Sequence, residues 1–158
     1  LKGFTLIELL IVISLIGILA ALALVSYVGV QKQARDATRK SDLRQYQAAL
    51  ESYANKNNGF YPSQTVGSGV RASTILCGNL GLTGCSEDPR YGADNTFLYN
   101  YQSNGTGSGL ATAVRYVLWG KLENVADNYW VICSSGSTGK ITTATTFSTG
   151  GCPAGLTQ

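Results

Sequence analysis

At 158 residues the chain has room for one ordinary domain, and a net charge of only +3 gives no footing for a dedicated nucleic-acid-binding surface. Apolar residues make up 44% and charged residues 13%, but the average hides two unlike parts. Histidine is absent, which removes the commonest general base and metal ligand; no nucleophile–base pair stands out, and Gly67-Ser68-Gly69 follows no predicted strand and opens no predicted helix, so an enzyme is not expected.

From Phe4 to Val30 the sequence reads FTLIELLIVISLIGILAALALVSYVGV, longer than the roughly 20 residues a helix needs to cross a bilayer. A secretory signal has a shorter apolar region ending at small residues, and a single-span anchor fits better. Lys2 precedes the run, and Lys32, Arg35, Arg39 and Lys40 follow it, so charge does not orient the span. Glu8 argues against a plain anchor. A carboxylate inside an apolar span costs about 2.5–3.5 kcal/mol when central and less near an edge. A cut between Gly3 and Phe4 would create an α-amine one helical turn before Glu8. In a bundle of staggered helices, Glu8 of one copy would then pair with the Phe4 amine of its neighbour, an interaction favoured in low dielectric.

The segment Leu1-Lys2-Gly3-Phe4-Thr5-Leu6-Ile7-Glu8 resembles the processing site of type IV prepilins and pseudopilins. That resemblance implies cleavage after Gly3 by a membrane-embedded aspartyl prepilin peptidase and methylation of the new N-terminal residue, Phe4. Glu8 becomes the acidic assembly residue, and residues 1–3 are what is left of a leader. It also implies residence in the inner membrane before assembly, a homopolymer of identical subunits afterwards, and an assembly machinery as partner.

After Val30 the pattern turns amphipathic. Leu43, Tyr46, Leu50 and Tyr53 recur at helical spacing, Asp36 and Lys40 are set for an i,i+4 pair, and Asn57-Asn58-Gly59 with Pro62 beyond reads as a stop. One helix is therefore predicted from Phe4 to about Asn57, with an apolar part over 4–30 and an amphipathic part over 31–57. Gly17 and Gly29 lie inside it, and close packing through small residues is preferred over local unwinding. Lys32, Arg35, Arg39, Lys40 and Arg44, interleaved with Asp36 and Asp42, read as a solvated face, with DNA or anionic head groups as the alternative.

Residues 58–158 are expected to form a β-rich head. Ser63 to Arg90 reads as loop. Strands are predicted over Thr96–Gln102, where Phe97, Tyr99 and Tyr101 alternate, over Ala113–Leu122 and over Asn128–Ser134. Asn104 to Gly109 reads as a turn. Tyr99, Tyr116, Trp119 and Trp130 are assigned to the core or to subunit contacts. The four cysteines all lie in this part and form no C-x-x-C pair. Downstream of an export segment they predict two disulfides, and pairing Cys77 with Cys85 and Cys133 with Cys152 closes the shorter loops, each containing glycine. Asn104-Gly105-Thr106 is a glycosylation sequon, and the Thr-rich tail offers O-linked positions.

The fold class expected is α+β: a long N-terminal helix packed on a small antiparallel sheet. The stretches Ser41–Leu50 and Asn58–Pro62 are similar to G-type major pseudopilins of type II secretion and to G-like pilins. The pseudopilin resemblance implies a calcium loop, for which Glu87, Asp88, Asp94 and Asn95 offer oxygens, although their spacing matches no EF-hand and a solvated acidic turn is preferred. The paired cysteines, Tyr-rich head and Ser/Thr-rich tail favour the subunit of an extracellular type IV pilus, with the major pseudopilin as the alternative.

Overall fold

The computed structural model describes residues 3–64, 69–124, 128–142, 147 and 150–157, and the side chains of 23–26 stand outside the description. Helix α1, Leu6–Lys56, runs for 51 residues, roughly 77 Å at the rise of an α-helix. Thr5 caps its start, and Asn57 ends it. The stop uses the expected residues: Asn58 and Gly59 both take positive φ, 56° and 83°, and the Gly59 N–H returns to the Ala54 carbonyl at 2.8 Å. Left-handed residues at this point satisfy carbonyls that the helix would otherwise leave bare.

The two parts of α1 have opposite fates. Every described side chain from Phe4 to Val30 is exposed, and the helix is long and apolar enough to cross a membrane. Beyond Val30, Leu43 and Leu50 are completely buried, with Tyr46 and Ala54 nearly so. Tyr53 is only half-buried, because Ala54, four residues past Leu50, stays closer to the line of the contact stripe.

The head is built on antiparallel pairings. Strands β1 (Tyr61–Gln64), β2 (Val70–Arg71), β3 (Tyr99–Ser103), β4 (Ser108–Ala113), β5 (Tyr116–Lys121), β6 (Tyr129–Cys133) and β7 (Thr138–Ile141) are joined by one short helix, α2 (Ala72–Asn79). The main sheet has the order β2-β3-β5-β6-β7, and β1 pairs with β4 in a separate ribbon. Alternation divides the side chains between two cores. Tyr99, Tyr101, Tyr116, Leu118, Trp130 and Ile132 face α1 in one cluster with Leu43, Tyr46 and Leu50. Val117, Trp119, Val131 and Cys133 face the other way and gather Phe147, with Leu156 packed against them.

The segment expected as loop from Ser63 to Arg90 instead contains the end of β1, all of β2 and α2. Helix α2 is eight residues long and buries only Ala72 and Leu76, little more than one repeat of the helical period, which is too short to stand out in the sequence. The strand expected from Thr96 begins at Tyr99, because Asp94 accepts from the Thr96 N–H and hydroxyl and holds a turn there. Ala113 ends β4 rather than opening the next strand. The Asn104 carboxamide oxygen accepts from the Val114 and Arg115 N–H groups at 2.9 and 3.0 Å, which turns the chain between β4 and β5. Beside it, a Cβ on Gly105 would meet the Ala113 nitrogen at 2.7 Å, so this close approach requires glycine. The sequon at Asn104 is thus also a packing element.

Disulfides join Cys77 to Cys85 and Cys133 to Cys152. The second ties the outer core to the C-terminal segment, whose Thr157 pairs with Lys140 on the outer edge of β7. Its two cysteines are 19 residues apart, a loop whose closure stabilises by about 3 kcal/mol through the unfolded chain. Reduction of the detergent-solubilised chain is therefore expected to lower the urea midpoint of the tryptophan fluorescence while leaving the α1 circular-dichroism signal in place. An unchanged midpoint would remove that role from the disulfide.

Candidate assembly site and the helix–head seam

Gly3 and Phe4 precede the helix, and Phe4 is 87% exposed, so the bond between them lies outside any hydrogen-bonded element. Helical order starts one residue later. The Thr5 N–H and hydroxyl both donate to Glu8 Oε2, at 2.9 and 2.6 Å, and the Glu8 N–H donates to Thr5 Oγ1 at 3.3 Å. This is a reciprocal capping box, and it satisfies donors that the first turn leaves open. Glu8 therefore has a local role as well as the proposed one between subunits. Its Oε1 takes no hydrogen bond among the described residues and stays free for an incoming cation. The cap is legible in the sequence as Thr5-x-x-Glu8 ahead of an apolar run.

The opposite end of the stem carries a second charged constellation that periodicity did not reveal. Arg39 is completely buried. Its Nε and Nη2 donate to the two oxygens of Asp88 at 2.6 and 2.9 Å, its Nη2 reaches Glu123 at 2.7 Å, and its Nη1 reaches Asp36 at 2.8 Å. Arg35 holds Glu123 through both oxygens, at 2.8 and 2.7 Å. Asp36 also accepts from the Glu123 and Asn124 N–H groups. The ring of Phe97 closes the cluster, with the guanidinium carbons of Arg39 and Arg90 at 4.8 and 4.6 Å from its centroid.

The basic run is thus not the solvated face expected. Asp36 turns to Arg39 one helical turn on rather than to Lys40, and Lys40 lies over Trp130 at 4.4 Å. Only Arg44 of the group is fully exposed. The acidic turn is likewise taken up. Asp88 is buried on Arg39, Glu87 binds Arg71 at 2.6 Å, and Asp94 serves Thr96 and Arg90. Among the described residues no three potential metal ligands of the His, Cys, Asp and Glu types converge.

Hydrogen bonds from Arg35 hold the Glu123 carboxyl at about 2, outweighing burial, and Arg39 adds to them. Burial alone would push Arg39 toward neutrality, but the bonds to Asp88, Glu123 and Asp36 win and raise its pKa. Further up the seam, Tyr99 donates to Asp42 at 2.7 Å, and Tyr61 and Tyr116 both donate to Glu51, at 3.0 and 2.9 Å. Burial, reinforced by these carboxylates, raises all three phenols, Tyr61 to about 12. They stay protonated and remain donors.

Residues 2–24 match the prokaryotic N-terminal methylation motif. In this segment the chain is similar to type IV pilins and pseudopilins. Against a fimbrial protein of Neisseria meningitidis it is 43% identical over 77 residues, 49% of this chain and 45% of that one. The type IV major pilin protein PilA of Myxococcus xanthus is 36% identical over 59 residues, 37% of this chain and 27% of that one. The type II secretion system core protein G of Pseudomonas aeruginosa is 40% identical over 66 residues, 42% and 46% of the two chains. This pilin-like chain spans less than half the length of these curated relatives. No solved structure matches it significantly.

Two outcomes test the seam. Arg39→Ala takes from the buried Asp88 carboxylate its ion-pair partner and removes one bond each from Asp36 and Glu123, a loss of about 3–5 kcal/mol, whereas Arg44→Ala on the exposed face is expected to stay within about 0.5 kcal/mol; urea titration of both variants measures the contrast. Glu123 is depressed from 4.5 to about 2, so its contribution is complete above pH 4.5 and disappears as pH falls toward 2. Across that window the wild type is expected to lose more stability than Glu123→Gln. Parallel pH curves for the two would contradict the assignment.

Proposed function

We propose that the chain is the major structural subunit of an extracellular type IV pilus, and that it acts by polymerising rather than by catalysis. The observation that carries this reading is the exposed apolar stretch of α1 with Glu8 near its start. A bilayer covers that stretch in the precursor, and neighbouring copies of the same stretch cover it in the filament. Moving from one to the other exchanges apolar contacts with lipid for apolar contacts with protein, so the hydrophobic effect alone gives little direction.

Direction comes from charge. Cleavage after Gly3 by a prepilin peptidase frees the Phe4 amine. The free Oε1 of Glu8 then offers that amine, on a neighbouring copy, a partner in a place where either charge alone is expensive. The pair fixes the axial stagger between stems, because only one offset brings the two groups together. Thr5 holds the carboxylate by its other oxygen, so the acceptor is oriented before the partner arrives. Methylation of Phe4 leaves an amine that still carries charge and a donor. The inner membrane holds the unassembled subunit, and the assembly machinery extracts it with the head already folded.

The second reading is the major pseudopilin of a type II secretion system. Its support is the similarity to the core protein G, of the same order as that to the pilins. Both readings use the same stem chemistry and differ in where the filament ends. Long fibres outside the cell, with a methylated Phe4 as the first residue by mass spectrometry, select the pilus; fibres confined within the envelope select the pseudopilus.

Glu8→Ala is expected to insert in the membrane as the wild type does and to yield few or no filaments by electron microscopy. Filaments in normal number from that variant would overturn the pairing of Glu8 with the amine.

A further inference from the structure

The buried acid that Arg39 grips hangs from a stretch with little structure of its own. Between α2, which ends at Asn79, and β3, which begins at Tyr99, residues 80–98 form no helix or strand. A connection of that length holds no position unaided, because the conformational entropy of every residue in it opposes order. Yet Asp88 lies in it with its side chain wholly buried, its two oxygens on the Arg39 guanidinium at 2.6 and 2.9 Å.

One covalent tie reaches this stretch. Cys77, on α2, is joined to Cys85. Its neighbour Leu76 is completely buried in the core that faces α1, so that end of the bridge is anchored. The three residues after Cys85 then reach other elements in succession. The Ser86 carbonyl accepts from the Tyr46 hydroxyl of α1 at 2.8 Å, Glu87 accepts from Arg71 at 2.6 Å, and Asp88 meets Arg39. The Glu87 pair is partly exposed, and pairs of that kind contribute little. The second disulfide serves the far side of the sheet, because Cys133 belongs to the cluster that packs away from α1. Of the two bridges, Cys77–Cys85 is the one that bears on the seam.

We propose that the Cys77–Cys85 bridge is a redox latch for the helix–head seam: it delivers Asp88 to Arg39, and the seam closes fully only in the oxidised chain. Closure is thiol–disulfide exchange. The thiolate of one cysteine attacks an external disulfide, and that of the other displaces the mixed disulfide. The external pair leaves as two thiols, taking the two electrons and the two protons that the cysteines give up. In the reduced chain Asp88 is released to water, and Arg39 keeps Asp36 and Glu123 but loses the partner that ties it to the loop. Bridge and ion pair are linked reciprocally, so whatever the bridge adds to the pair, the pair adds to the bridge. The latch belongs to the single chain and does not rest on the filament reading. That reading adds only a moment for closure, the arrival of the head in an oxidising compartment.

The test uses the full chain in detergent, poised in mixtures of dithiothreitol and its oxidised form. Thiol alkylation followed by peptide mapping gives the reduced fraction of each bridge separately. Asp88→Asn is expected to make Cys77–Cys85 about fivefold or more easier to reduce, read as the shift in the midpoint ratio of the two forms. The Cys133–Cys152 midpoint is expected to stay within about twofold, as an internal control for general loosening of the head. An unmoved Cys77–Cys85 midpoint would overturn the latch, and so would an equal shift of both bridges. A second measurement approaches from the other side. In Cys77→Ser with Cys85→Ser, the Arg39 Nε–H in a ¹⁵N spectrum is expected to exchange with solvent about tenfold faster than in the wild type, while the amides of β5 and β6 keep their protection. Protection of the Arg39 Nε–H that survives loss of the bridge would refute the proposal.

Discussion

One constraint governs this molecule: the head covers only the distal part of its own helix. The contacts of α1 with the sheet run through Leu43, Tyr46, Leu50 and Ala54, and the described side chains below Val30 touch solvent on all sides. Apolar surface on that scale does not stay in water. It needs lipid or other chains, so the fold is complete only in company. The acid near the start and the small residues Gly17 and Gly29 all lie in that uncovered stretch.

A stem that must work elsewhere has to carry the head in a fixed pose, and the seam accomplishes that with polar groups. Hydrophobic packing gives attraction with little sense of angle. The Arg39 fork on Asp88, with Glu123 and Asp36 around it, admits one rotation of the helix against the sheet. Asp42 and Glu51 repeat the device at higher levels through tyrosine hydroxyls. Buried ion pairs are weak as sources of net stability and more useful for defining geometry. That fits a subunit whose side contacts must recur from copy to copy.

The parts legible in the sequence were those in which one residue type or one period speaks alone. The long apolar run, its acid, the Asn-Asn-Gly stop and the alternation of Tyr99 and Tyr101 all announce themselves locally. What stayed hidden depends on pairs far apart in the chain. Arg39 looks like any helical arginine until β5 brings Glu123 beside it, 84 positions away, and Asp88 looks like a surface acid until it meets the same guanidinium. Short elements such as α2 and β7 failed to show for another reason. Each is short and includes glycine, so tertiary contact rather than local preference holds it. Asn104 carried a modification motif in plain view, yet its hydrogen bonds to the next turn could be read only from the fold.

The pairing of Thr157 with Lys140 has a bearing on how such molecules aggregate. It lays the end of the chain along the last strand of the sheet, and at the opposite margin β2 is only two residues long. Open margins are where sheets of separate molecules fuse. With one side occupied and the other nearly absent, the heads have little means of zipping together by their backbones. Contact between copies is thereby left to the exposed apolar stems rather than to the sheet margins.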